Sequence, residues 1–304
     1  MSAALVASGS ALPILLLIAV GWAVRQFRIV DHQGALALTR LVYHVTIPAA
    51  VAFSIARVDL TPQLLLLPLI GMTLPTLLAG IMYLTTRRLA EAPRRRGVLL
   101  VTLVVMGVFA FPFMELYYGP EGLARIALYD MGNVFYAAIL ATYLARRFGS
   151  GVGRISVRGI FSSPILIGAL VGVALAVLDR PLPAVAAGLL QRLATANTPL
   201  SMLAVGMFLR PSRGYGALVA QYVGIRMVLG GMLGWGLAQL LGLQGLSLVI
   251  ATVGSALPAG TTGLVLAGKE GLDTGLAAAI VSSSMLIGVL VVALLPHLLA
   301  ALYL

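Results

Sequence analysis

Residues 251–267, ATVGSALPAGTTGLVLA, are apolar enough to cross a membrane, yet they cannot form an uninterrupted helix. Gly254, Pro258, Gly260 and Gly263 fall in the middle, among the hydroxyls of Ser255, Thr261 and Thr262. Proline has no backbone N–H and its ring clashes with the carbonyl one turn earlier, so a helix breaks or kinks there. At membrane depth, open backbone is tolerated only where it is buried in protein or lines a polar cavity. A similar stretch, VMGVFAFPFMELYY at 105–118, contains Gly107 and Pro112. The two interrupted segments read as the centre of a transport site.

Composition supports that reading. The chain has 304 residues, 61% hydrophobic and only 10% charged, with a mean hydropathy of +1.06. That much apolar surface cannot be hidden in a soluble globular domain, so the chain is expected to be an all-α polytopic membrane protein. A net charge of +11 suggests nucleic acid in a soluble protein, whereas here arginines in short loops on one membrane face account for it. No nucleic-acid partner is therefore expected. With no cysteine, disulfide and thiolate chemistry are excluded. His32, His44 and His297 are too scattered to suggest a metal site. The N-terminal apolar run lacks a basic stretch before it and has Arg25 and Arg28 after it, the pattern of a retained first helix.

Ten runs have the length of a span: roughly 10–27, 36–56, 63–86, 98–118, 123–147, 160–178, 193–209, 216–241, 246–267 and 274–303. Residues 179–196 are amphipathic and suit either the seventh span or the interface. Loops after the odd-numbered spans hold Arg25, Arg28, Arg40, Arg87, Arg88, Arg94, Arg95, Arg96, Arg146, Arg147, Arg154, Arg158, Arg210, Arg213 and Lys269. The opposite side holds Arg57, Arg125, Arg180 and Arg192, and Arg226 lies inside a span. Positive loops stay cytoplasmic, which places both termini outside the cytoplasmic membrane.

The chain also repeats. Pro13-Ile14-Leu15 with Gly21 recurs as Pro164-Ile165-Leu166 with Gly172, and Pro48 recurs as Pro199. Pro112 is matched to Pro258, and Glu121-Gly122-Leu123 to Glu270-Gly271-Leu272. The repeats run over about 8–148 and 159–304 within one membrane domain, 1–304. Five spans per repeat make the second copy enter from the opposite side. Inverted repeats with discontinuous helices at the midplane recur in secondary transporters.

At this level the residues resemble the auxin efflux carrier family, which includes plant auxin exporters and bacterial organic-acid permeases such as malonate permeases. The resembling stretches are LTRLVYHVTIPAAVAFSIA at 38–56, FPFMELYYGPEGLARIALYDMGN at 111–133, ANTPLSMLAVGMFLR at 196–210 and SALPAGTTGLVLAGKEG at 255–271. The resemblance implies two five-helix repeats whose fourth helices, spans 4 and 9, break at Pro112 and Pro258 and cross. It also implies an anionic substrate beside the crossing and a possible homodimer through scaffold helices. In one departure, relatives often carry an asparagine about two turns before the first proline, where this chain has Val105. The first break is therefore expected to offer little polar side-chain chemistry.

The candidate site follows from these landmarks. Half-helix N-termini expose amide donors with partial positive charge, suited to a carboxylate. Candidate substrate-binding residues are Gly107, Pro112, Gly254, Ser255, Pro258, Gly260, Thr261 and Thr262, joined by Asn197, Pro199 and Pro48 at the matched prolines of spans two and seven. The alternative is that Pro112 and Pro258 only kink packed helices. Glu115, Asp130 and Asn133 are candidates for proton or ion coupling, because intramembrane ionisable groups default to function. The alternative for Glu115 is an interfacial side chain, and for Asp130 a structural hydrogen bond to a broken-helix amide. Arg226 attracts an anionic substrate, pairs with an intramembrane acid, or snorkels to the interface, the favoured reading. His44 is expected to be a hydrogen-bonded core residue, and Ser282-Ser283-Ser284 to be packing residues. No catalytic, nucleotide or metal signature occurs, so no enzyme activity or cofactor is expected. The expected function is secondary transport of small organic anions by alternating access. The alternatives are a sodium-coupled symporter of the bile-acid-transporter type and a membrane ligand sensor.

Overall fold

Long leucine- and alanine-rich runs punctuated by glycine and proline fold in the computed structural model as a series of helices, with no strand among the described residues beyond one isolated bridge. The structure describes residues 3–86, 92–149, 163–178, 183–208 and 215–303. Arg87, Arg88, Arg154, Arg158, Arg180, Arg210 and Arg213, which contribute to the expected orientation, lie outside these residues. In chain order the helices are α1 (Ala3–Gln26), α2 (His32–Leu41), α3 (Ile47–Ile55), α4 (Leu66–Thr85), α5 (Pro93–Val101), α6 (Gly107–Tyr136) and α7 (Thr142–Phe148). There follow α8 (Pro164–Leu178), α9 (Ala184–Phe208), α10 (Gly216–Val223), α11 (Gly230–Leu240), α12 (Gly245–Ser255), α13 (Thr261–Lys269) and α14 (Thr274–Tyr303). Wide π turns at Val42–Thr46, Ala137–Ala141 and Gly224–Leu229 join α2 to α3, α6 to α7 and α10 to α11. Residues 184–196, the amphipathic stretch, form the first half of α9.

Among the described residues, five helical runs are long and apolar enough to cross a membrane: Gln33–Ile55, Pro62–Thr85, Phe109–Phe148, Gly216–Leu240 and Thr274–Tyr303. Leu15–Gln26, Pro164–Leu178 and Gly245–Ser255 are shorter apolar helices. The run Phe109–Phe148 is itself kinked at Gly119, whose φ of 61° lies in the left-handed region that favours glycine. Outward-facing Leu69, Leu77, Leu84, Leu240, Leu290 and Leu302 are all exposed. In water that surface is unfavourable, whereas in lipid it is the natural outer face.

Contacts divide the chain into two units. The first comprises Met1–Leu64, Val108–Leu128 and Ser162–Leu209, the second Leu65–Gly107, Tyr129–Phe161 and Arg210–Leu304. In the first unit α1 packs on α9 and α8 packs on α3. Both seams close backbone to backbone through glycine: Gly21 lies on the Leu203 carbonyl, and Gly172 lies on Ala52. Any side chain at these glycines would meet main chain, which cannot swing away as a side chain can. Both glycines belong to the repeated landmarks, and their partners Ala52 and Leu203 stand in the same register. The prolines of this unit serve the helix seams. Pro48 follows the π turn at Val42–Thr46 and lies against Gly168 of α8, and Pro199 sits inside α9.

The second unit contains α4, α5, α7, α10–α14 and the second half of α6. Gly71 of α4 lies against the Tyr129 carbonyl, and Gly132 of α6 against the Pro68 carbonyl, so these helices also meet at backbone distance. At one end of this unit Asp273 receives hydrogen bonds from Arg95 (3.2 Å) and from the Leu276 N–H (2.9 Å). Arg146 approaches Glu270 to 3.7 Å nearby.

Candidate functional site

In the second unit two helices are interrupted, and the interruptions pair with each other. Between α5 and α6 the chain opens at residues 102–106, and between α12 and α13 it opens at 256–260. Val105 and Ala259 face one another as an antiparallel bridge. The Gly260 N–H donates to the Val104 carbonyl at 2.7 Å, and the Met106 N–H donates to the Pro258 carbonyl at 3.1 Å. Each opened segment thus supplies part of the backbone bonding that the other has lost, which buried backbone requires.

The first break lies upstream of Pro112, contrary to expectation. Pro112 is buried inside α6, and Val104 rather than Pro112 is the counterpart of Pro258 in the reciprocal pair of bonds. The physical reason is tertiary. Residues 102–106, TLVVM, contain no helix breaker, but their open conformation is held from outside. Asn133 accepts the Val105 N–H at 2.9 Å, donates to the Val105 carbonyl at 3.2 Å and donates to Asp130 at 2.8 Å. The first break therefore does carry polar side-chain chemistry, supplied from 28 residues away. Ser284 plays a corresponding part at the second break, its Oγ accepting the Ala259 N–H at 3.1 Å. Ser284 thus bonds open backbone and is not the packing residue expected of a serine run. Its separation from Asn133 equals that of the matched prolines Pro48 and Pro199, and this shared register is the signal that points to it.

The carbonyl ends of the interrupted helices are capped as well. Tyr136 donates to the Leu100 carbonyl at 3.0 Å and Tyr222 to the Thr102 carbonyl at 2.6 Å. Arg226 donates to the Ser255 carbonyl at the end of α12. Arg226 does not snorkel: it is fully buried, because the π turn at Gly224–Leu229 carries it inward. A guanidinium is well placed at a helix C-terminus, where the macrodipole is negative.

The helix starts are treated differently. The Asp130 carboxylate lies against Gly107, the first residue of α6, so the positive end of that helix already faces a carboxyl group of the protein. Among the described residues no acid is hydrogen-bonded at the start of α13, where Gly260 is buried, Thr261 half-buried and Thr262 exposed. The position in α14 that stands where Asp130 stands in α6, in the register of Asn133 and Ser284, is Val281.

A model of the family described as membrane transport protein matches residues 146–296. An uncharacterized transporter of Methanothermobacter thermautotrophicus (strain Delta H) is 28% identical over 285 residues, 91% of this chain and 93% of its own length. An uncharacterized transporter of Methanocaldococcus jannaschii is 27% identical over 293 residues, 92% of this chain and 95% of its own. The resemblance to the auxin efflux carrier family holds. The chain is a membrane transporter.

In this transporter the expected site residues fall into two groups, one in each unit. Gly107, Gly254, Ser255, Pro258, Gly260, Asp130 and Asn133 gather at the paired breaks of the second unit. The glycines are there for close approach. A methyl on Gly260 would meet the Val105 carbonyl at 2.7 Å, and one on Gly254 would meet the Tyr129 ring at 2.9 Å. Ser255 donates to the Ala251 carbonyl at 2.6 Å and lies 3.3 Å from the Tyr129 hydroxyl. In the first unit, Asn197 is buried, and its Oδ1 accepts Thr46 at 3.0 Å and Ser201 at 3.2 Å, while its Nδ2 has no partner. Thr198 donates to half-buried Glu115 at 2.8 Å. His44 is exposed rather than in the core, its Nδ1 lying 2.9 Å from the Arg40 carbonyl.

Proposed function

We propose that this chain is a secondary active transporter of small organic anions, carboxylates foremost. In this reading ten spans form two inverted five-helix repeats, and the paired breaks are the crossing of spans 4 and 9, around which access alternates. The protein sits in the cytoplasmic membrane with both termini outside, and needs no cofactor. One observation carries the substrate class: the start of α13 presents Thr261 and Thr262 beside the crossing with no acid bonded to it among the described residues, whereas the start of α6 faces Asp130. A helix N-terminus draws negative charge, and a substrate carboxylate supplies at α13 what Asp130 supplies at α6.

The recurrent register supports the inverted repeat. Thr46 bonds to Asn197 across 151 residues, the spacing of Pro48 and Pro199, and Gly21 and Gly172 occupy corresponding seams. The test is uptake, efflux and exchange of a radiolabelled carboxylate panel in proteoliposomes. Saturable flux that falls in Thr261→Val and Thr262→Val is expected. Lack of flux under any gradient would defeat the reading, and binding without flux would establish a sensor instead.

A further inference from the structure

Two buried charges of opposite sign, Asp130 and Arg226, flank the crossing without touching. Asp130 is 2% exposed and Arg226 is 0% exposed. The ion pairs among the described residues are Arg95–Asp273, Arg125–Glu121 and Arg146–Glu270, and neither buried group takes part. Asp130 holds one hydrogen bond, from Asn133, and rests on Gly107. Arg226 donates through Nη1 to Ser255, while its Nε and Nη2 have no partner although both are buried. An unpaired buried cation is costly, and two unused guanidinium donors form the fork that matches a carboxylate.

Few other charges are near enough to interfere. Around Asp130, its own helix presents the Tyr129 phenol and Asn133, the first break presents the Val105 backbone, and α4 approaches through Pro68, Gly71 and Met72; of these groups Tyr129 alone is titratable. Helix α12 presents Gly254 and Ser255 to Tyr129. Around Arg226 stand Ser255 and Gly230, with the phenols of Tyr129, Tyr136 and Tyr222 in electrostatic reach.

We infer that Asp130 and the transported anion alternate as the single counter-charge of Arg226, so that one proton moves with each monoanion. This rests on the anion-transporter reading above. In the empty protein, ionised Asp130 balances Arg226. When a carboxylate enters, Asp130 takes up a proton, and the site again contains one cation and one anion. The loaded form carries one H⁺ and one monoanion, while the empty form returns with ionised Asp130, so the cycle moves no net charge. Net neutrality in both forms avoids the cost of an unbalanced charge at membrane depth.

The test has two arms. In proteoliposomes, uptake of [¹⁴C]pyruvate and [¹⁴C]lactate is measured under an imposed pH gradient and, separately, under a valinomycin potassium potential. Inward acid should drive accumulation, the potential should not, and apparent affinity should fall about tenfold per pH unit once Asp130 is ionised. Asp130→Asn should retain exchange without acid-driven accumulation, and both Arg226→Gln and Arg226→Lys should lower flux at least tenfold. Potential-driven uptake, or acid-driven accumulation that survives in Asp130→Asn, overturns the inference.

The second arm needs no substrate. Unfolding equilibria are compared for Asp130→Asn, Arg226→Gln and the double variant. Each single change leaves one buried charge unbalanced, so the double variant should be at least tenfold less destabilised than the product of the single effects. Independent effects overturn the inference. If neither carboxylate nor any other in the panel is moved, the transport reading fails, and this second arm alone decides the charge coupling.

Discussion

Replacing Asn133 with alanine removes the side chain that holds the first break open. Three hydrogen bonds disappear: the one from the Val105 N–H, the one to the Val105 carbonyl and the one to Asp130. Side-chain bonds between membrane helices contribute on average about 0.6 kcal/mol, so three amount to roughly 2 kcal/mol. The stranded Val105 N–H, buried and without another partner, adds about 1–3 kcal/mol. The expected loss is therefore about 3–5 kcal/mol. Ser284→Ala is the internal comparison, because it strands one N–H, that of Ala259, and should lose about 2–3 kcal/mol. The assay is reversible unfolding in detergent–SDS mixed micelles, followed by circular dichroism and tryptophan fluorescence. If Asn133→Ala is no more destabilised than Ser284→Ala, or stays within about 0.5 kcal/mol of the parent, then Asn133 does not sustain the break.

Gly260→Ala forces a methyl onto the Val104 and Val105 carbonyls and should cost about 1–3 kcal/mol and most of the transport, whereas Gly236→Ala, with open space around it, should be neutral or slightly stabilising; paired melting curves and flux assays check both. Tyr222→Phe uncaps the Thr102 carbonyl and should lower stability by about 1 kcal/mol with folding intact, measured by the same unfolding assay. Burial alone would raise the Asp273 carboxyl, but hydrogen bonds from the Leu276 N–H, Arg95 and Tyr215 outweigh it and hold it below the ordinary carboxylate value. Its stabilising effect is therefore present above about pH 4 and lost as pH falls further, so Asp273→Asn should flatten the acid limb of a stability-against-pH curve.

Sequence patterns made some of these features legible and concealed others for physical reasons. Hydropathy announces a membrane protein because lipid demands long apolar runs. The second break is equally visible, since Pro258 cannot donate and Gly260 is needed where the Val104–Val105 backbone passes. The first break is invisible locally: TLVVM has no breaker, and its opening depends on Asn133 and on the 258–260 backbone, both distant in sequence. Pro112 misdirects the eye because a proline near a helix start is easily mistaken for the break itself. Arg226 is legible as an intramembrane charge, but its depth is not, because the π turn that turns it inward has no residue signature. Asp130 and Asn133, three residues apart, were visible as a pair on one helix face, and that pairing is where the first break is anchored.

The bond between Thr46 and Asn197 is one-directional: the hydroxyl gives and the amide oxygen takes, although the two positions stand in one register. Exchanging them, Thr46→Asn with Asn197→Thr, should keep a donor facing an acceptor across the seam, whereas Thr46→Val leaves the Asn197 oxygen with Ser201 alone.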